Sequence, residues 1–276
     1  MKTVTLAGRE VPALGIGTWK MGESSRLRSQ EIAALKRAID LGMTLIDTAE
    51  MYGEGAAEEL IAEAIDGRRD QVYLVSKVYP HNAGRRGAVA ACERSLKRLG
   101  VDRIDLYLLH WRGSVPLAET LDTFADLKRA GKVAAFGVSN FDTEDMDEAW
   151  GLPHGREIAT NQILYNLSRR AVEHDLLPWL EVNGVPAMAY SPVEQGRLLG
   201  QPKLAAIAKK RGATPAQIAL AWLLAQPDVI VIPKSSDQRH VEENRAAADL
   251  ELNSEEMAAL DAAFPRPKSR KALEVL

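Results

Sequence analysis

Cysteine is nearly absent: Cys92 stands alone among 276 residues, so no disulfide can form within the chain, and a reducing cytosol suits such a sequence. Long apolar runs are missing too. The opening stretch MKTVTLAGREVPALG has one early lysine but no continuous apolar segment of leader length. Nothing further along approaches the roughly 20 apolar residues of a membrane-spanning helix, so secretion and membrane insertion are not expected. Charge of one sign is also lacking. A formal net charge of −3, with no basic stripe interleaved with aromatics, gives no general attraction to phosphate polymers and argues against nucleic acid as a partner. Outside His110 the histidines are His81, His154, His174 and His240, and no pair among them has metal-ligand spacing, so no metal site is expected. No linker rich in Pro, Gly and Ser divides the chain, which is read as one domain over residues 1–276.

What is present is the material of a large core, with 46% hydrophobic and 26% charged residues. Short runs rich in Val, Ile and Leu alternate with longer segments of helical period, the signature of a parallel sheet with crossover helices. After a hairpin at 3–12 turned by AGRE, the strands read LGIG (14–17), TLID (44–47), VYLVS (72–76), IDLYLLH (104–110), AFGVS (135–139), ATNQI (159–163), AMAY (187–190) and VIVIP (229–233). Between them, SQEIAALKRAIDLG places apolar residues at 32, 35, 39 and 41 and closes on Gly42. In AVAACERSLKRLG, Cys92 falls where a small packed residue of an amphipathic helix belongs. TPAQIALAWLLAQP opens with Thr214, Pro215 and Gln217, a capping box with proline at the first helical position. Eight such units in one chain predict a closed (β/α)₈ barrel, with PKLAAIAKKRG and SEEMAALDAAF as two helices beyond the minimum. The three-glycine dinucleotide fingerprint fails: GIGTWK and GEGAAE lack the third glycine, so a bound dinucleotide would need another device.

Chemistry on such a barrel sits where the strands end. Asp47 ends the second strand with Tyr52 in the loop beyond it, Lys77 follows the third, and His110 ends the fourth. The four types form a proton-donor set. An ammonium beside a phenol favours the phenolate, a carboxylate holds the ammonium charged, and an imidazole can donate to a substrate oxygen. Each has a plainer reading as a cap, a solvated strand end or a packed rim residue. Lys77 also admits a Schiff-base lyase or aldolase.

With these residues placed, the chain resembles the aldo-keto reductase superfamily over essentially its whole length. GIGTW, IDTAEMYG, VSK, DLYLLHW, GVSNF, NQILYN, AYSP and IPKSS stand in the family's order. The resemblance implies that Tyr52 is the general acid, that Lys77 and Asp47 lower its pKa, and that His110 orients the carbonyl. It further implies an NAD(P)H cofactor. Ser139, Asn140 and Gln162 would hold the carboxamide, Tyr190 would stack on the nicotinamide, and Asp47 would meet the ribose. Ser191, Pro192 and Val193 would follow the pyrophosphate, and Lys234, Ser235, Glu243 and Asn244 would lie at the adenosine end. Trp19, Tyr79 and Trp111, with His110, match the family's pocket lining. One position departs. Six residues after Lys234, where many members carry a 2′-phosphate-binding arginine, stands His240, with Arg239 before it. NADPH is therefore favoured by resemblance and NADH left open. The short loop SPVEQGRLLGQ and the compact tail PRPKSRKALEVL resemble those of small bacterial reductases acting on methylglyoxal and other reactive aldehydes. The expected protein is a cytoplasmic monomer reducing a small carbonyl. The alternative is a nicotinamide-nucleotide-binding regulatory module with little turnover.

Overall fold

The computed structural model describes residues 1–276. Strands β1 (Thr3–Leu6) and β2 (Arg9–Pro12) form the antiparallel hairpin. Its turn is narrower than AGRE: only Ala7 and Gly8, at φ 50° and 76°, are unpaired, the left-handed pair that suits the twist of a two-residue hairpin. Arg9 reaches Asp105 near the start of a barrel strand at 2.7 Å, which places the hairpin at the N-terminal end of the barrel, away from the chemistry.

Eight parallel strands follow in chain order: β3 (Ile16–Gly17), β4 (Leu45–Asp47), β5 (Tyr73–Val78), β6 (Ile104–Leu109), β7 (Val133–Ser139), β8 (Ile158–Leu164), β9 (Ala187–Tyr190) and β10 (Val229–Val231). Parallel bridges Leu14–Val231 and Gly17–Lys234 bring β3 back against β10 and close the ring. The glycines of LGIG let β3 come close on both sides: a Cβ on Gly17 would stand 3.1 Å from the Ile232 carbonyl oxygen just past β10, and the tighter approach is to β4. A Cβ on Gly15 would stand 2.6 Å from the carbonyl oxygen of Leu45, so only glycine lets β3 approach its neighbour.

The helices are α1 (Arg28–Asp40), α2 (Ala56–Ala64), α3 (Arg85–Leu99), α4 (Leu117–Arg129), α5 (Thr143–Gly151), α6 (Leu176–Val182), α7 (Pro202–Arg211), α8 (Pro215–Leu224), α9 (Gln238–Ala247) and α10 (Ser254–Ala263). α7 and α10 are the two additions to the eight-unit barrel. α8 starts on the expected capping box, with the Gln217 amide N–H donating to Thr214 Oγ1 at 3.2 Å and Thr214 N–H to Gln217 Oε1 at 2.8 Å. Cys92 is fully buried on α3. The barrel strands are buried on both faces, as expected of a parallel sheet roofed by helices. On β5 this alternation separates two polar residues. Ser76 points outward and donates to Glu58 on α2 at 2.7 Å, while Lys77 points into the barrel mouth.

Candidate active site

Strand ends β4, β5 and β6 converge on Lys77. Its ammonium, fully buried, lies 2.8 Å from both Asp47 carboxylate oxygens and donates to the Thr48 carbonyl at 2.7 Å and to the Tyr52 hydroxyl at 3.3 Å. The three donor positions of the ammonium are thus directed to a carboxylate, a carbonyl and a phenol. Asp47 is fixed in turn: Gln162 Nε2 donates to it at 2.7 Å, and the Thr18 hydroxyl donates to its main-chain oxygen at 2.9 Å. Burial pushes the Asp47 carboxyl up and the Lys77 ammonium down, and in each case the partner's charge opposes the shift. Such a pair persists because breaking it would strand a buried charge.

Tyr52 opens a short 3₁₀ turn, Tyr52–Gly55, in which Gly53, Glu54 and Gly55 take φ of 56°, 54° and 98°. This left-handed run ends the strand and folds the phenol back over Lys77. Tyr52 as a whole is half-buried. The expected direction of its pKa is corrected here: burial, then the Asp47 charge, hold the phenol well above its ordinary value. The net direction is upward even with the Lys77 ammonium at 3.3 Å, whose charge the Asp47 carboxylate offsets. Tyr52 is therefore a protonated donor at neutral pH, and its fitness as an acid rests on position rather than on a depressed pKa.

His110 stands just beyond β6, its ring centroid 5.9 Å from that of Tyr52. Burial, with a smaller contribution from Lys77, lowers its pKa to about 2, so the imidazole is neutral. Nδ1 is buried without a hydrogen-bond partner. Trp111 packs against His110 at 4.8 Å between centroids and edge-on to Tyr79 at 5.9 Å, forming one aromatic wall. Trp19 stands apart from that wall, with the Lys20 ammonium 4.5 Å from its ring centre.

The expected cofactor residues fall into two groups. At the ends of β7, β8 and β9, Ser139, Asn140, Gln162 and Tyr190 are joined into one network. Tyr190 donates to Asn140 Oδ1 at 2.8 Å, Asn140 Nδ2 lies 3.1 Å from both the His110 carbonyl and Ser139 Oγ, and the Ser139 hydroxyl donates to the Gln162 carbonyl at 2.9 Å. Ser191, Pro192 and Val193 continue from Tyr190, Ser191 at φ 49°. Asn140 is also left-handed, at φ 60°. This concentration of amide and hydroxyl groups at strand ends, beside a half-buried phenol ring, fits a planar carboxamide-bearing ring.

Across the mouth, Lys234 follows β10. It is exposed, pairs with no carboxylate, and reaches only Ser236 Oγ at 3.4 Å. A free ammonium there suits a phosphate. Ser235 is buried and bonded within its own turn to Asp237, and Asn244 is buried on α9 with Glu243 beside it. His240 and Arg239 are both exposed, their amides donating to the Asp237 carboxylate that caps α9.

Residues 13–264 match the aldo/keto reductase family, and the chain belongs to it; it is an oxidoreductase of that class. It is 49% identical over 271 residues to the methylglyoxal reductase YeaE of Escherichia coli strain K12, covering 96% of this chain and 95% of that protein. It is 31% identical over 255 residues to the methylglyoxal reductase DkgB of Escherichia coli O157:H7, covering 91% and 92% of the two chains. A crystal structure of an aldo/keto reductase from Klebsiella pneumoniae in complex with NADP and acetate superposes with a TM-score of 0.98 at 48% identity, over 100% of this chain and 99% of that one.

Several residues of the site lie beyond the reach of sequence reasoning. Thr18 and Thr48 hold Asp47 and Lys77 through one hydroxyl and one carbonyl. Met188 touches Gln162 Nε2 through its sulfur at 3.0 Å. Glu50, buried, accepts from the Tyr79 amide N–H at 2.9 Å and Asn82 at 3.0 Å, and so sets the start of the aromatic wall. Alternation along AMAY places Met188 and Tyr190 on one face, the single signal available for Met188.

Proposed function

We propose that the chain reduces methylglyoxal and related small aldehydes to alcohols with NADPH. The observation that carries this reading is the buried Asp47–Lys77–Tyr52 chain beside a neutral His110. It is supported by the methylglyoxal reductases the chain resembles and by the Klebsiella protein's complex with NADP. Ser139, Asn140, Gln162 and Tyr190 would hold the nicotinamide end, Ser191–Val193 the pyrophosphate, and Lys234, Ser235, Glu243 and Asn244 the adenosine end. The bound nucleotide supplies the hydride. His110, neutral, donates one N–H to the carbonyl oxygen and polarises it. Tyr52 passes its proton to that oxygen as negative charge develops; an alkoxide is a stronger base than a phenolate, so a phenol with a high pKa still serves. Lys77 lies beside the phenolate that results, and Asp47 keeps Lys77 charged. Trp111 and Tyr79 give the pocket an aromatic side suited to a compact, partly apolar carbonyl, with Trp19 at its rim.

The same charged Lys77 disfavours a Schiff-base role, since an amine must be free to attack a carbonyl. The chain is further read as one domain, a monomer and a cytosolic protein. A buried, unpaired Cys92 supports the last, and no helix is long and apolar enough to cross a membrane. Light scattering on a sizing column tests the monomer. The functional test is loss of NADPH absorbance with methylglyoxal, with NADH in parallel and Tyr52→Phe as control. Turnover abolished in the variant supports the reading. Tight NADPH binding without turnover in the wild type would replace it with a nucleotide-sensing role.

A further inference from the structure

The segment after β9 is strained and unusually well tied. Ser191, Glu194 and Gln195 take φ of 49°, 52° and 54°, three non-glycine left-handed residues within five positions, a state that persists only where surroundings over-determine it. Glu194, buried, is the anchor. Its carboxylate accepts from Asn166 at 2.8 Å, from Arg197 at 2.9 Å, and from Arg169 through Nη2 at 2.8 Å and Nε at 3.1 Å.

Arg169 alone among these donors also reaches the C-terminal tail, through Nη1 to Glu274 at 2.6 Å. From Glu274 the tail runs back to the mouth, where the Leu276 amide N–H lies 3.4 Å from the Tyr190 hydroxyl. A closed circuit results, from Tyr190 and Ser191 through Glu194, Arg169 and Glu274 to Leu276 and back to Tyr190. Upstream the tail is held by Arg270, which pairs with Glu144 at 2.9 Å and Asp175 at 2.8 Å. Tail residues 270–273 line a cleft of about 230 Å³ together with Asp142, Thr143 and Asp175, and Leu273 packs against the core.

We propose that Arg169 is a positioning residue that couples the cofactor-side loop 191–200 to the C-terminal tail, so that the two close over the nicotinamide end of the mouth as one unit. A planar guanidinium can present one edge to Glu194 and the other to Glu274 at once, which a lysine ammonium cannot do with comparable geometry. The consequence is reciprocal: a ligand held by the loop steadies the tail, and a tail cut loose weakens the loop's hold on that ligand. The inference rests on the reading of loop 191–193 as a dinucleotide contact.

The test uses the full chain and Glu274→Gln, Arg169→Lys, Arg169→Ala and a truncation removing residues 274–276. NADPH dissociation is followed by stopped-flow fluorescence, and methylglyoxal KM, steady-state kcat and single-turnover rate are measured alongside. Glu274→Gln, which alters only the tail, is expected to speed NADPH release by about fivefold or more, the lower end of typical coupling between sites. It should raise the methylglyoxal KM and leave the single-turnover rate at saturating substrate unchanged. The truncation should match it, and Arg169→Lys should fall between wild type and Arg169→Ala. Unchanged NADPH release in both tail variants overturns the coupling, as does faster release confined to Arg169→Ala, which would assign Arg169 to the loop alone. Wild-type protein that neither binds NADPH nor reduces methylglyoxal would instead sink the functional reading itself.

Discussion

The two ends of the proposed cofactor groove are built on opposite terms. At the chemical end, Asp47 and Lys77 leave parallel strands, are almost wholly buried, and have their partners fixed by strand register, Asp47 pairing with Val75 two residues from Lys77. At the adenosine end, Lys234, Arg239 and His240 are exposed on a turn and a helix start, where backbone position leaves several side-chain directions open. A strand end dictates which way a residue points; an exposed helix start does not. Substitutions at the chemical end should therefore have large effects on rate or stability, and those at the adenosine end small effects on preference.

The largest effect is expected at Tyr52. Tyr52→Phe removes the one proton that Lys77 positions and leaves the ring in place, so turnover should fall by roughly 10²–10⁴, the usual worth of a general acid. NADPH affinity should barely change. Steady-state kinetics with equilibrium titration checks both, and equal turnover in the two proteins would remove Tyr52 from the mechanism.

Asp47→Asn probes the buried charge. It leaves Lys77 enclosed with a carbonyl and a phenol but no counter-ion, a loss of about 3–5 kcal/mol by analogy with other broken buried pairs. The loss should shrink as pH rises and Lys77 sheds its proton, a deprotonation that burial already favours. Urea unfolding at neutral and alkaline pH measures this, and a pH-independent loss would mean that Lys77 stays charged in the folded variant as it does in the unfolded chain.

The barrel, its eight strands and the set Asp47, Tyr52, Lys77 and His110 were legible because apolar runs stop where polar residues of matched chemistry begin. The hydroxyls and carbonyls that orient them were not. Thr18 and the Thr48 carbonyl act through contacts between β3, β4 and β5 that no local pattern announces. The Tyr52 pKa went the other way for the same reason: sequence shows that a lysine is near, but not that the phenol is buried beside the Asp47 charge. Arg169 and Glu274, 105 positions apart, meet only once the tail has folded back over the barrel.

His110 offers a smaller, signed effect. Its folded pKa of about 2 lies below the ordinary 6.5, so the unfolded chain binds a proton there that the folded one refuses. That stability is complete above the unfolded value and is lost as pH falls from about 6.5 toward 2, at up to ~1.4 kcal/mol per pH unit. His110→Gln should flatten the acid limb of the stability curve over that window. An unchanged limb would show that the ring is protonated in the fold, a poor state for a buried imidazole within reach of the Lys77 charge.

The smallest expected effect lies at His240. The Asp237 carboxylate already engages the Arg239 and His240 amides at the start of α9, so a 2′-phosphate gains little from that helix end and depends on side chains for its positive partner. Arg239 is no automatic substitute, because adjacent residues on a helix point about 100° apart. If His240 faces the 2′-phosphate, His240→Arg adds a permanent charge with paired donors and should tighten NADPH by about tenfold, the worth of one charge-assisted hydrogen bond, while leaving NADH unchanged. Parallel titrations with the two nucleotides separate the cases. A gain for NADPH alone places residue 240 against the phosphate, whereas equal gains for both would move that contact to Lys234 or Arg239 and make the adenosine end less specific than the chemical end in a second sense.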